Sequence, residues 1–131
     1  MNEKKKILIV EDDDTLRQVL KGALQKDEIF EVWESSDGAD ALENIEKFVP
    51  DLALVDINIP KIDGLTLVRI MADKKMTEKT KVIFLTNSSD ISRISLASSI
   101  DGVIGYLIKS DWDIADVVKQ IKEKLAQTRK K

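Results

Sequence analysis

The sequence has neither histidine nor cysteine among its 131 residues. The missing cysteine excludes disulfides and thiolate metal sites. The missing histidine excludes Ser-His and Cys-His triads, imidazole zinc sites and any phosphohistidine step within the chain. A glycine-rich GxxxxGK[ST] loop is absent as well, which excludes a P-loop nucleotide enzyme. No apolar run approaches the roughly 20 residues that span a bilayer. The opening MNEKKK is too charged, and the ILIV that follows too short, for a secretory signal. The expectation is a cytoplasmic protein without a membrane partner. A formal charge of −3 argues against a general nucleic-acid surface. Lys4, Lys5 and Lys6 at one end, and Arg129, Lys130 and Lys131 at the other, read as solvated tails.

What is present alternates short apolar runs with amphipathic segments. ILIV (7–10) reads as a buried strand, and Leu16, Val19, Leu20, Ala23 and Leu24 then share one helical face. IFEVW (29–33) alternates and carries charges, as an edge strand would. Ser36 or Asp37 can cap a second helix, whose apolar face holds Ala41, Leu42, Ile45 and Phe48. LALV (52–55) is a second buried run. The PKIDG turn leads from it into a helix with Leu65, Val68 and Met71 or Ala72 inward. KVIFLT (81–86) is a third buried run, and Asp90 can cap a short helix that ends near Gly102. GYLIK (105–109) reads as the fifth strand. Ser110 and Asp113 have capping-box spacing ahead of a last helix striped by Ile114, Val117, Val118, Ile121 and Leu125.

Runs that are apolar on both faces suit a parallel sheet covered by helices on both sides. Right-handed crossovers and short connections then favour a three-layer, doubly wound five-stranded α/β fold. One domain over 5–127 is expected, with charged tails at 1–4 and 128–131. All strands point one way, so their C-terminal ends share a rim, and ligands of such folds sit at that rim.

Polar residues that end strands are therefore the ones to weigh. The first strand ends at Glu11 and Asp12, the third at Asp56, the fourth at Thr86 and the fifth at Lys109. Each alone is as well explained by capping or by a solvated loop, and Asp13 and Asp14 read as helix caps. Together they converge on one crevice if the first strand lies between the second and third. Three carboxylates there repel one another, and a hard divalent cation relieves the repulsion. Oxygen ligands in small number fit Mg2+ with retained waters. Asp12 and Asp56 are direct-ligand candidates, Glu11 acts through water, and the backbone carbonyl of Asn58 can supply another oxygen. Lys109 adds a positive charge and Thr86 a hydroxyl, so the crevice suits a phosphoryl group. Asp56, heading a buried strand, is the nucleophile best placed for in-line attack.

Four segments carry a family resemblance: ILIVEDD, LALVDINIPKIDG, KVIFLT and GYLIKS, in that order. The chain resembles the receiver domain of two-component response regulators, and is similar to the stand-alone chemotaxis regulator of that family. The resemblance runs from Lys5 to about Gln127. It implies a flavodoxin-like sheet of strand order 2-1-3-4-5. It implies Asp56 as phosphoacceptor, and Mg2+ held by Asp12, Asp56 and the Asn58 carbonyl with Glu11 nearby. Thr86 and Lys109 then contact the phosphoryl oxygens, and Tyr106 is the aromatic that swings as the threonine moves. The implied donor is a partner histidine kinase or phosphotransfer protein, which suits a chain without histidine. The implied role is a phosphoacceptor signalling switch rather than a turnover enzyme, although the chain takes part in its own phosphorylation and dephosphorylation. A downstream target protein would read the surface of the fourth helix, fifth strand and fifth helix. No output domain is attached in this reading, and dimerisation through the fourth and fifth helices stays open.

The pattern departs at two places. Proline commonly follows the lysine in this family, but here Ser110 does, and a trans bond is expected because a non-proline cis bond costs about 2.5–4 kcal/mol. Asn87 stands where a small residue is usual. Asn58 and Ser88 match positions where the family tunes phosphate lifetime. Trp33 reads as packing, and Trp112 as either a contact residue or a lid over the last helix. The departures keep one alternative alive, a pseudo-receiver that binds protein without phosphate. An aspartyl phosphatase would want a second carboxylate where Asn58 stands. A flavin carrier would want donors where the acidic EDDDT loop stands.

Overall fold

A computed structural model describes residues 4–87 and 91–129. The apolar runs become β1 (Lys5–Val10), β2 (Phe30–Ser35), β3 (Leu52–Val55), β4 (Lys81–Thr86) and β5 (Val103–Ile108). The helices between and after them are α1 (Asp14–Gln25), α2 (Gly38–Phe48), α3 (Gly64–Asp73), α4 (Ile91–Ala97) and α5 (Ile114–Arg129). All strand pairs are parallel, and the order is β2-β1-β3-β4-β5, as expected.

Two apolar layers explain why the sheet is covered on both sides. Leu8, Val10, Ala53, Val55, Val82 and Phe84 face α2 and α3, which contribute Ala41, Ile45, Leu65, Val68 and Met71. Ile7, Ile9, Leu52, Leu54, Ile83 and Leu85 face α1 and α5, which contribute Leu20, Leu24, Val117, Ile121 and Leu125. Every residue of β3 is buried, and each large side chain so buried stabilises the fold by about 1.5–3 kcal/mol. The N-caps of the first three helices are aspartates: Asp13 accepts from the Leu16 N–H, Asp37 from that of Asp40 and Asp63 from that of Thr66.

Four expectations need correction. Val19, placed on the inner face of α1, is 47% exposed, because the inward stripe narrows to Leu20 and Leu24 flanked by Leu16. The fourth helix stops at Ala97 rather than near Gly102, and the chain turns through 98–102. Gly102 has φ +98° and lies against Thr77, a conformation and a space that suit only glycine. The fifth strand begins at Val103 and ends at Ile108, so Lys109 opens a 3-10 turn over Lys109–Asp111. That turn takes up Ser110, and the capping box of α5 is made by Asp113 and Asp116 instead. The Asp116 N–H donates to Asp113 at 2.9 Å and the Asp113 N–H to Asp116 at 3.4 Å. Asp90, the expected cap of α4, and Ser88 lie outside the described residues.

One irregularity was not anticipated. Val82 pairs with Val103, but Ile83 pairs with Gly105, so Ile104 is an extra residue in β5. This bulge leaves Ile104 packed on the α1/α5 layer and Gly105 beside Lys124 of α5. Tyr106 consequently pairs with Phe84 on the opposite face, where it is 46% exposed.

Candidate functional site

The register carries the strand ends to one rim. Val10 pairs with Val55, and the Asp56 N–H donates to the Val10 carbonyl at 3.0 Å. Glu11 leaves β1 with its N–H bonded to the Ser35 carbonyl at 3.1 Å. Glu11 and Asp56 are buried, Asp12 is exposed, and carboxylate oxygens of the three lie within 4.8 Å of one another. Thr86 ends β4 on the same rim, fully buried, and pairs with Ile108, the residue before Lys109.

Lys109 bridges the cluster. Its Nζ donates to Asp56 Oδ2 at 2.9 Å and lies 2.9 Å from Glu11 Oε1. The approach to Glu11 is close but poorly aligned, so that buried oxygen has no directed donor. The other Glu11 oxygen accepts from the Asp13 N–H at 3.1 Å. No cis peptide bond occurs among the described residues, and the lysine reaches both carboxylates from a trans Ser110 linkage.

The electrostatics follow from burial. Burial pushes the Glu11 carboxyl from 4.5 up to about 7; Lys109 and the Asp13 N–H oppose the rise, and the Asp56 charge adds to it. Burial alone would lower the Lys109 ammonium, but its bond to Asp56 and the nearby Glu11 carboxylate outweigh that and raise it. A buried oxygen without a directed donor and an all-oxygen donor set fit a hard divalent cation.

The turn after Asp56 is tight. The Asn58 N–H donates to Asp56 Oδ1 at 3.1 Å, and the Gly64 N–H reaches back to the Ile57 carbonyl at 2.8 Å. A Cβ at Gly64 would collide with the Asp56 carbonyl oxygen, so the close return of this turn requires glycine. Tyr106 and Trp112 are exposed on or just beyond β5, Asn87 is exposed after β4, and Trp33 stacks on Phe48 at 4.1 Å away from the rim.

Two arginines at the site were not singled out from the sequence. Arg17 donates to the Glu11 carbonyl at 2.9 Å and to Glu34 at 2.9 Å, and pairs with Asp14 at 2.6 Å. It thereby fastens the acidic loop to α1 and β2. Its sequence signal was an arginine three residues after Asp14, on the first turn after the acidic run. Arg93 of α4 donates to Asn58 Oδ1 at 3.2 Å and stands 3.8 Å from Asp63. Its only signal was a lone cation in a serine-rich segment.

Comparison with known proteins agrees with this architecture. Residues 7–122 match the family profile described as response regulator receiver domain. Sporulation initiation phosphotransferase F of Bacillus subtilis is 32% identical over 121 residues, covering 92% of this chain and 94% of that protein. A protein-glutamate methylesterase/protein-glutamine glutaminase of Rhodospirillum rubrum is 35% identical, and the match spans 92% of this chain but only 32% of that relative's length. Among solved structures, a CheY-like response regulator receiver domain protein from Methanospirillum hungatei is 30% identical, with a TM-score of 0.85 and 98% of each chain covered. Among the described residues no helix is long and apolar enough to cross a membrane.

Proposed function

The chain belongs to the response regulator receiver family, and on that premise we propose that Asp56 is its phosphoacceptor and that the protein works as a phosphorylation switch. Receiver domains interact with histidine kinases or phosphotransfer proteins, bind Mg2+ at an acidic pocket, and signal rather than turn over substrate. The finer reading is that a partner of that kind, in the cytoplasm, supplies the phosphoryl group. What supports it most is Lys109 Nζ at 2.9 Å from both Asp56 Oδ2 and Glu11 Oε1, within a cluster of three carboxylates.

Asp12, Asp56 and the Asn58 backbone carbonyl would hold the Mg2+, with Glu11 through water. When bound, the ion supplies positive charge to the phosphoryl oxygens. The remaining work falls to the chain itself. An Asp56 oxygen attacks phosphorus, the bond from phosphorus to the donor's nitrogen or oxygen breaks, and the leaving group keeps the electron pair. The Lys109 ammonium stays protonated and neutralises the charge that moves. Attack of water on the acyl phosphate returns Asp56 and releases phosphate.

Phosphorylation adds roughly −1.5 to −2 charges and three acceptor oxygens. The Thr86 hydroxyl donates to one of them and shifts toward the site, and Tyr106 moves into the space beside β4. The surface of α4, β5 and α5 changes with it, and that surface meets a downstream target protein. Among the described residues, Leu96, Tyr106 and Trp112 are the exposed large apolar side chains of this region.

The test is labelling by a small acyl phosphate with Mg2+, read on a phosphate-retarding gel. The expected product is a base-labile adduct that disappears on Mg2+ chelation and in Asp56→Asn. No adduct on the wild-type chain would leave only the pseudo-receiver, and many product molecules per chain without a stable adduct would indicate a phosphatase.

A further inference from the structure

α4 is thinly held. It has seven residues, Ala97 is buried, and Leu96 is 62% exposed. Against that background two contacts of Arg93 stand out, because both cross from α4 to the turn that follows the acceptor. Arg93 Nη1 donates to Asn58 Oδ1 at 3.2 Å, and Nη2 stands 3.8 Å from Asp63 Oδ1. Arginine only donates, so the Asn58 amide must present its oxygen to α4. The same residue's backbone N–H donates to Asp56 Oδ1. Asp63 is anchored in turn, since it caps α3 through the Thr66 N–H at 2.9 Å and accepts the Thr66 hydroxyl at 3.0 Å. A chain of contacts therefore runs from the acceptor carboxylate through one residue to the guanidinium of α4.

We infer that Arg93 is a positioning residue for the acceptor turn: acting through Asn58, it holds that turn and α4 together in the unphosphorylated arrangement. The inference deepens the phosphoacceptor reading and rests on it. Its direction comes from the carboxylate. Asp56 Oδ1 is bonded to the Asn58 N–H and Oδ2 to Lys109. Bonding of either oxygen to phosphorus ends the charge the two share, so both become poorer acceptors and the Asn58 bond weakens. The turn must then readjust, while the Arg93 tie favours its present position. The tie therefore opposes the modified state, and loosening it lowers the cost of phosphorylation by the same free energy. Arg93 and Asp63 are both partly exposed, with side chains at 38% and 45%, so the effect is modest.

Two measurements test this with Arg93→Ala, Asn58→Ala, the double variant and Arg93→Lys. In the first, beryllium fluoride with Mg2+ is titrated as a tetrahedral phosphoryl mimic, with tryptophan fluorescence as the readout. Arg93→Ala should bind it about threefold to tenfold more tightly than wild type. Asn58→Ala should do the same, the double variant should add nothing further, and Arg93→Lys should fall between. Unchanged or weaker binding in Arg93→Ala, or additive effects in the double variant, would overturn the inference. In the second, amide hydrogen exchange of α4 is measured without metal or mimic. Each single variant should exchange faster to a similar extent, and the double variant no faster than either. Exchange equal to wild type overturns the tie whatever the first measurement gives. Wild-type protein that ignores both the mimic and the acyl phosphate overturns the phosphoacceptor reading and the effect on phosphorylation, while the exchange data still judge the contact itself.

Discussion

Replacing Gly64 with alanine puts a methyl group into the backbone beside the acceptor. The new Cβ would collide with the Asp56 carbonyl oxygen and lie 2.8 Å from Ile57 Cα. Both obstacles are main chain, so no side-chain rotation relieves them. The turn must open, and the Gly64-to-Ile57 hydrogen bond of 2.8 Å lengthens with it. Overpacking of this kind costs about 1–3 kcal/mol, and weakening the bond adds about 1 kcal/mol. Stiffening the unfolded chain returns about 0.4–1 kcal/mol. The expected net loss is ~2–3 kcal/mol, read as a lower urea midpoint at constant slope. Labelling of Asp56 should slow as well, because its carbonyl is the atom displaced. Gly22 is the control: its added Cβ meets nothing within 4 Å, and alanine inside α1 should stabilise by about 1 kcal/mol. A Gly64→Ala midpoint equal to that of wild type would refute the packing argument for this turn.

Further outcomes are expected at three other positions. Val49 ends α2 at φ +46°, a costly conformation for a β-branched residue, so Val49→Gly should stabilise by about 0.5–1 kcal/mol in thermal or urea melts. Glu34 is held below the usual carboxylate range, first by its bond to Lys21, with Arg17 helping against the opposing effect of burial. The stability this gives is present above pH 4.5, the ordinary value, and is lost as pH falls through the lowered one. Glu34→Gln should therefore destabilise at pH 7 and differ little from wild type in strong acid, as followed by melts across pH. Thr86→Ala should still accept phosphate on the gel, but should lose most of the change in Tyr106 environment on phosphorylation, as read by tyrosine-resolved NMR.

How much was legible beforehand varies with how local the cause is. LALV and KVIFLT are apolar on both faces, a pattern few elements other than buried parallel strands show, and their boundaries were read to the residue. The carboxylates, Thr86 and Lys109 were legible because they interrupt such runs at the rim. Ser110 was misread because capping-box spacing is a local signal, whereas the 3-10 turn that consumes it is set by where β5 ends. Arg17 and Arg93 escaped notice because a long side chain does not announce its partner. Glu34, Glu11, Asn58 and Asp63 are among theirs, brought near by the sheet order and by the turn after β3. The same holds for Lys122 of α5, which pairs with Asp27 beyond the end of α1.

The supernumerary Ile104 works as a parity shift. Strand side chains alternate, so one inserted residue exchanges inside for outside everywhere downstream until the strand ends. Were the bulge straightened, with Ile104 taking a place in the ladder and the β4 register kept upstream, Tyr106 would turn toward α5 and Leu107 toward α4. The aromatic would then be on the wrong side of the sheet to follow any movement of Thr86, with every side chain of the carboxylate cluster still in place. The phase of β5, set by one residue outside the acidic cluster, thus decides which face of the sheet carries the aromatic.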